Sequence, residues 1–269
     1  MNVDGTVAVV TGAGGGIGAA LGRRLVEGGA RVVLADLQAE KVAAVADELC
    51  ALRDGSAIGV AADVSATEDI ERIVATATEA FGPVDLYAAN AGVGGGIGLD
   101  VDEREWQLAL DVNVLAHVRA ARVLVPGWLE RGSGYFLSTA SAAGLLTQIG
   151  SPTYSVSKHG AVAFAEWLAI TYGDRGVKVS CLCPMGVNTD MLNGGAESDD
   201  EVARRAAQAV TDAGGVLEPL EVADIVLAAV DEERFLVLPH PEVLTFWQRK
   251  TGDYDRWLAG MRRYQESLA

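Results

Sequence analysis

The sequence predicts an α/β fold in which a doubly wound parallel sheet of about seven strands carries helices on both faces. Two observations carry this expectation. Seven short apolar runs alternate with stretches of helical periodicity. The runs are hydrophobic at successive positions rather than at alternate ones, which is the pattern of strands buried on both faces. A third observation is local: the first run leads straight into a glycine-rich turn and then a helix.

Strands are expected at Val7 to Val10, Arg31 to Ala35, Ala57 to Ala61, Leu86 to Ala89, Gly134 to Ser138, Lys178 to Cys183 and Phe235 to Pro239. Right-handed crossovers between them are filled by helices expected at Gly18 to Glu27, Ala39 to Leu52, Glu68 to Phe81, Glu103 to Leu129, Thr153 to Tyr172 and Val202 to Asp212. Ligands of such sheets sit at the carboxyl ends of the strands. Asn188 to Gly215 is the least regular region and is expected to move over a bound substrate. Its acidic cluster, Glu197, Asp199, Asp200 and Glu201, reads as a solvated helix start.

No repeat, linker or break in composition divides the 269 residues, so residues 1–269 are read as one domain, with 241–269 a C-terminal helical tail. In that tail Trp257, Met261, Tyr264 and Leu268 recur at helical spacing, and the segment should dock. It packs on its own subunit or a symmetry mate, or it helps to close the substrate cleft.

The net charge of -16 would repel a phosphate backbone, and no basic stripe offsets it, so nucleic acid is not an expected partner. The uncharged stretch Gly5 to Gly22 is too rich in glycine to be a signal or a membrane span. Three cysteines, Cys50, Cys181 and Cys183, form an odd, sparse set, expected to be reduced in a cytoplasmic protein. No set of metal ligands stands out.

The turn after the first strand reads Thr11-Gly12-Ala13-Gly14-Gly15-Gly16-Ile17-Gly18. Glycine permits the tight turn and a close approach of backbone to a pyrophosphate, whose charge the helix N-terminus receives on free amides. Gly12, Gly16, Ile17 and Gly18 are therefore candidates for binding a dinucleotide. Asp36 follows the second strand, where its carboxylate can accept from a ribose diol and repel a 2′-phosphate. NAD is thus expected in preference to NADP, with neither Ala13 nor Leu37 supplying a cation. The alternative is that Asp36 only caps the helix that follows.

Tyr154 and Lys158 stand four residues apart at a helix start, on one face. A tyrosine titrates near pH 10, so acid or base work near neutrality calls for a neighbouring cation that stabilises the phenolate. With the glycine turn, with Asn90-Ala91-Gly92 after the fourth strand, and with Asn113, Ser141 and Pro184, this pair resembles the short-chain dehydrogenase/reductase family over about Val3 to Pro239.

The resemblance implies a Rossmann-like fold and a residue-by-residue assignment. Tyr154 would exchange a proton with the substrate oxygen, Lys158 would lower its pKa and bind the nicotinamide ribose, and Ser141 would hold the substrate oxygen. Asn113 would anchor a relay water. Asp63 and Val64 would lie near the adenine, Asn90, Ala91 and Gly92 beside the adenosine ribose, and Pro184, Val187 and Thr189 toward the carboxamide. Asn90 also has a structural reading as a tie within the sheet, and Ser138 competes with Ser141. Where members commonly read Pro-Gly-x-Val-x-Thr, this chain has Met185 in place of the glycine. Met185 faces the substrate or alters the turn.

The resulting expectation is an NAD(H)-dependent oxidoreductase that interconverts a hydrophobic secondary alcohol and its ketone. The alternatives are an NADP(H)-dependent carbonyl reductase and, more distantly, a non-catalytic dinucleotide-binding protein. The cleft should draw on Leu145, Leu146, Gln148, Met185, Met191 and Leu192, with no basic residue awaiting a carboxylate. The glycine-rich loop Val93 to Gly98 is expected to respond to ligand. A homotetramer or homodimer is implied, built on the helices Glu103 to Leu129 and Thr153 to Tyr172.

Overall fold

Five consecutive buried residues, Val7–Thr11, form β1 in the middle of a seven-stranded sheet. The computed structural model describes residues 1–268; Ala269, the last residue of the expected tail, lies outside them. The first half of the chain continues with α1 (Gly16–Glu27), β2 (Arg31–Asp36), α2 (Ala39–Leu52), β3 (Ala57–Ala61), α3 (Thr67–Phe81) and β4 (Leu86–Ala89). All strands pair in parallel in the order β3-β2-β1-β4, extended by β5 (Gly134–Thr139), β6 (Val177–Leu182) and β7 (Leu236–Val237).

The order reverses between β1 and β4, which opens a crevice at their carboxyl ends. Alternate strand residues feed two separate cores. Val9, Val33, Tyr87 and Phe136 pack with Ile70 and Ile73 of α3 and with Leu168 of the long helix before β6. On the opposite face Val10, Leu34, Ala88 and Leu137 meet Leu21, Leu25 and Leu49 of α1 and α2. Burial on both faces is what the continuous apolar runs require.

Between β4 and β5 the expected helix Glu103 to Leu129 is divided. α4 (Glu103–Leu110) gives way to a π-helical turn at Asp111–Leu115, and α5 (Ala116–Arg131) follows. The second half adds α6 (Ala143–Leu146), α7 (Pro152–Tyr172), α8 (Asp190–Ala196), α9 (Glu201–Asp212) and α10 (Pro219–Asp231). Asp200 of the acidic cluster caps α9, accepting from the Val202 N–H at 2.8 Å. α10 was not expected, because its apolar residues crowd into one run, Ile225 to Val230, instead of recurring at helical spacing. Its start is marked by Pro219 in the first turn and by Glu221, which takes the Glu218 N–H at 2.8 Å. The tail folds as α11 (Glu242–Gly252) and α12 (Tyr254–Ser267).

Candidate active site

The turn that joins β1 to α1 is shaped by contacts that exclude side chains. Gly12 has φ +64, and a Cβ there would stand 2.7 Å from the Ala91 Cα. A Cβ on Gly18 would meet the Gly12 carbonyl oxygen at 2.1 Å. No side chain caps α1, so its first amides stay open toward the crevice, an arrangement suited to phosphate. Thr11 and Asn90 tie the ends of β1 and β4 together. The Thr11 hydroxyl accepts from the N–H groups of Asn90 and Ala91, and the Asn90 amide donates to the carbonyls of Thr11 and Gly12 at 3.0 and 3.3 Å. Asn90 thus fills its structural reading while also lining the crevice.

Asp36 accepts from the Gly14 N–H and the Gln38 N–H, both at 2.9 Å, which stiffens the glycine turn and starts the connection to α2. Lys41 escaped the sequence reading. It stands in the first turn of α2, lines the same crevice and pairs with Asp190 of α8 at 3.2 Å. Its backbone is a full helical turn from Asp36, so only the fold brings a cation to this end of the site.

The catalytic candidates converge at the carboxyl ends of β4 and β5. Gly92 marks the meeting point: a Cβ there would lie 3.1 Å from the Asn113 Oδ1 and 3.3 Å from the Lys158 Nζ. Asn113 is fully buried and its amide is spent, donating to the Val93 carbonyl and the Ser157 hydroxyl and accepting from the Val93 N–H. Any water it anchors would therefore rest on its backbone. The Lys158 ammonium donates to the Thr139 carbonyl and lies 5.6 Å from the Tyr154 ring centroid. Burial lowers the Lys158 pKa to about 8. Burial also raises the Tyr154 phenol above 10, against a lowering from the adjacent Ser141 hydroxyl.

Ser138 and Ser141 are separated by their surroundings. Ser138 is wholly buried against the ring of His117, at 3.0 Å from Nδ1, while Ser141 faces the cavity beside Tyr154. The cavity has a volume of about 1200 Å³. Gly12, Gly16, Ile17, Asp36, Asp63, Val64, Asn90, Ala91, Gly92, Ser141, Tyr154, Lys158, Pro184, Val187 and Thr189 all line it. Gly18 and Asn113 stand behind its wall.

Leu146, Gln148, Met185, Met191 and Leu192 form the expected substrate end, but Leu145 does not. It is buried beneath α11, and its carbonyl accepts the Lys250 ammonium at 2.7 Å. Met185 faces the cavity from a turn that is also rebuilt. His240 accepts from the Met185 N–H at 3.2 Å and stands 2.9 Å from the Gly186 carbonyl, so those partners assign its proton to Nε2. The loop from Val93 to Gly98 is pinned to the start of α7, where Ser151 and Thr153 donate to the carbonyls of Gly94 and Gly96.

The tail completes the outer wall. Phe246, Arg249, Trp257, Met261 and Tyr264 border the cavity, and the Tyr264 hydroxyl donates to the Ala209 carbonyl of α9 at 3.0 Å. Thr147, also in the wall, holds φ 81, a conformation costly for a β-branched residue. Neither feature has a local sequence signal.

Known proteins with this arrangement can be set beside it. The sequence pattern of the short chain dehydrogenase family matches residues 6–200. The 1-deoxy-11-beta-hydroxypentalenate dehydrogenase of Streptomyces avermitilis is 34% identical over 99% of this chain and 96% of its own length. A short chain dehydrogenase/reductase from Burkholderia phymatum, solved in complex with NAD, superposes with a TM-score of 0.86 at 32% identity, covering 95% of this chain and 96% of that one. The L-sorbose reductase of Gluconobacter frateurii, solved with NADPH and L-sorbose, gives 0.78 at 26% identity, with 88% and 97% covered.

Proposed function

This chain belongs to the short-chain dehydrogenase/reductase family, an oxidoreductase acting on hydroxyl and keto groups, and we propose that it interconverts a hydrophobic secondary alcohol and its ketone with NAD(H). The observation that carries the reading is the gathering of Ser141, Tyr154 and Lys158, with Asn113 behind them, in the wall of a mainly apolar cavity of about 1200 Å³ that the glycine turn and Asp36 also line.

The residues fit a nicotinamide dinucleotide. Gly12 and Gly16, both at positive φ, let the turn close against Ala91 and Thr189, Gly15 faces open space, the open N-terminus of α1 would take the phosphates, and Asp36 would take the adenosine ribose. When bound, that cofactor supplies or accepts the hydride. The chain's own residues do the rest. Ser141 orients the substrate oxygen, Tyr154 gives or takes the proton at that oxygen, and Lys158 stabilises the phenolate that results. Asn113 shapes the approach to Lys158 through Val93 and Ser157. Leu146, Met185, Met191 and Leu192 favour an apolar substituent.

A second reading, NADP(H) as the cofactor, draws on Lys41, whose partner Asp190 is 94% exposed and easily released. The carboxylate of Asp36 opposes it. Apolar side chains left at the surface of α7 and the α4–α5 region, Trp167, Ile170, Leu108 and Leu115, support assembly as a homotetramer or homodimer. Among the described residues no helix is long and apolar enough to cross a membrane, and three unbridged cysteines support a cytoplasmic site of action. We further propose that the chain acts as one domain.

The reading is tested by measuring NADH and NADPH binding through fluorescence, then oxidation of the bound cofactor with a panel of hydrophobic ketones. NADH turnover supports it, preferential NADPH turnover supports the second reading, and binding of either without turnover overturns the enzymatic claim.

A further inference from the structure

Beside the part of the apolar cavity walled by the tail lies a second groove, of about 590 Å³, lined by residues of α11 and α12. The two spaces share Arg249, Trp257 and Met261, so they adjoin across these three side chains, and a molecule that displaces or passes Trp257 reaches the groove. Three arginines line it: Arg249, Arg256 and Arg263. Among the described residues none of their guanidinium groups has an ion-pair or hydrogen-bond partner, although seven other arginines of the chain are ion-paired. The one carboxylate in the lining, Asp253, is engaged in capping α12, where it accepts the Arg256 N–H at 3.0 Å.

This is an unusual concentration for an acidic protein. The whole chain has 21 basic against 37 acidic residues, whereas residues 241–268 have five cationic side chains against four acidic ones. The three arginines are exposed, so solvent screens their charges from one another, and an anion held in the groove is attracted by each. Arginine also suits carboxylate and phosphate oxygens, which it can bind with two parallel N–H groups.

We propose that the groove between α11 and α12 binds an anionic group, a carboxylate or a phosphate, at the far end of the apolar substrate. The preferred substrates are then hydrophobic alcohols or ketones that carry such a group, with the reacting carbon at Tyr154 and the charge at Arg249, Arg256 and Arg263. This assignment rests on the oxidoreductase reading for the position of the reacting carbon.

The test compares three matched substrates: a medium-chain keto acid, its methyl ester, and the corresponding coenzyme A thioester. The expected result is a KM at least about tenfold lower for the acid or for the thioester than for the ester, an advantage that shrinks at high salt. The species that wins identifies a substrate carboxylate or a carrier phosphate as the source of the charge. Arg249→Gln and the Arg256→Gln/Arg263→Gln pair should each erase the advantage, and the pair, which lines the groove but not the cavity, should leave kcat for the ester unchanged. Equal KM values for all three, or an advantage that survives both variants, overturn the proposal. So does a variant that changes the association state without changing the preference.

If no ketone is turned over with either cofactor, the oxidoreductase reading has failed on its own account. The groove is then judged by calorimetry with a medium-chain carboxylate and its methyl ester. Tighter binding of the carboxylate that is lost in the triple glutamine variant upholds an anion site, and equal binding sinks it.

Discussion

The Lys158 ammonium donates to the Thr139 carbonyl at 3.0 Å, so the last residue of β5 holds the cation of the proposed catalytic pair. Among the described residues no carboxylate pairs with that cation, and burial brings its pKa to about 8 from 10.5. Below pH 8 the folded protein must keep it charged in a dry site. Between pH 8 and 10.5 the unfolded chain binds the proton and the folded one does not, so the lysine's penalty fades as pH rises through that window.

Lys158→Met should therefore lose turnover yet gain up to about 3 kcal/mol of stability at neutral pH. Thermal unfolding of the two proteins from pH 7 to 10 would show the gap closing. A gap independent of pH would mean that Lys158 is not desolvated as described.

Tyr154→Phe removes a proton and leaves the ring. We expect cofactor binding within about twofold of wild type and kcat lowered about 10²- to 10⁴-fold. Single-turnover kinetics with saturating NADH decide it, and retained turnover would exclude Tyr154 as the acid.

Asp36 braces the glycine turn and is proposed to select the cofactor, and one substitution separates the two roles. Asp36→Asn keeps an acceptor for the Gly14 or Gln38 N–H but loses the charge that repels a 2′-phosphate. The ratio of kcat/KM for NADH over NADPH should fall at least about tenfold. An unchanged ratio would leave Asp36 as a brace for the turn alone.

His117 is fully buried against Ser138, and its pKa falls to about 3, through burial first and then through the nearby Lys158 charge. The unfolded chain takes up this proton near pH 6.5, so stability present above that value drains away as pH falls toward 3. The loss amounts to at most about 5 kcal/mol. His117→Gln should shift the midpoint of acid unfolding to lower pH, and an unmoved midpoint would refute the buried, neutral state.

Thr147 stores strain beside the cavity. Replacement by glycine frees φ 81 of a cost of about 1–3 kcal/mol, against about 1 kcal/mol for the freedom glycine adds to the unfolded chain. A slightly higher melting temperature with lower kcat/KM is expected, since Gln148 follows directly in the cavity wall. A lower melting temperature would mean that the threonine is not strained.

How much of this was legible depends on the range of the determining contacts. The strands were readable because burial on both faces leaves a run such as Val7–Thr11 apolar throughout. The glycine turn and the Tyr154–Lys158 spacing are local, so their geometry follows from helix and turn rules. The π turn at Asp111–Leu115 comes from a shift in backbone hydrogen bonding that no side chain announces. The hold of His240 on the Met185 turn spans 55 residues, and that of Lys250 on Leu145 spans 105. Such contacts exist only once the chain has folded. Arg249, which the folded tail brings to the cavity wall, had no local signal for the same reason.

The Lys250 to Leu145 bond, with Val243 buried in the same core as Leu145, forms a seam between two stretches of chain that divide the labour. Residues 141–158 hold the groups proposed for chemistry, and residues 242–264 furnish the far wall of the cleft. Genes that exchanged everything after His240 could trade one recognition surface for another without disturbing the reacting groups, provided the incoming segment kept a donor for that carbonyl and an apolar side chain at the place of Val243. The same seam marks where a laboratory chimera should be joined.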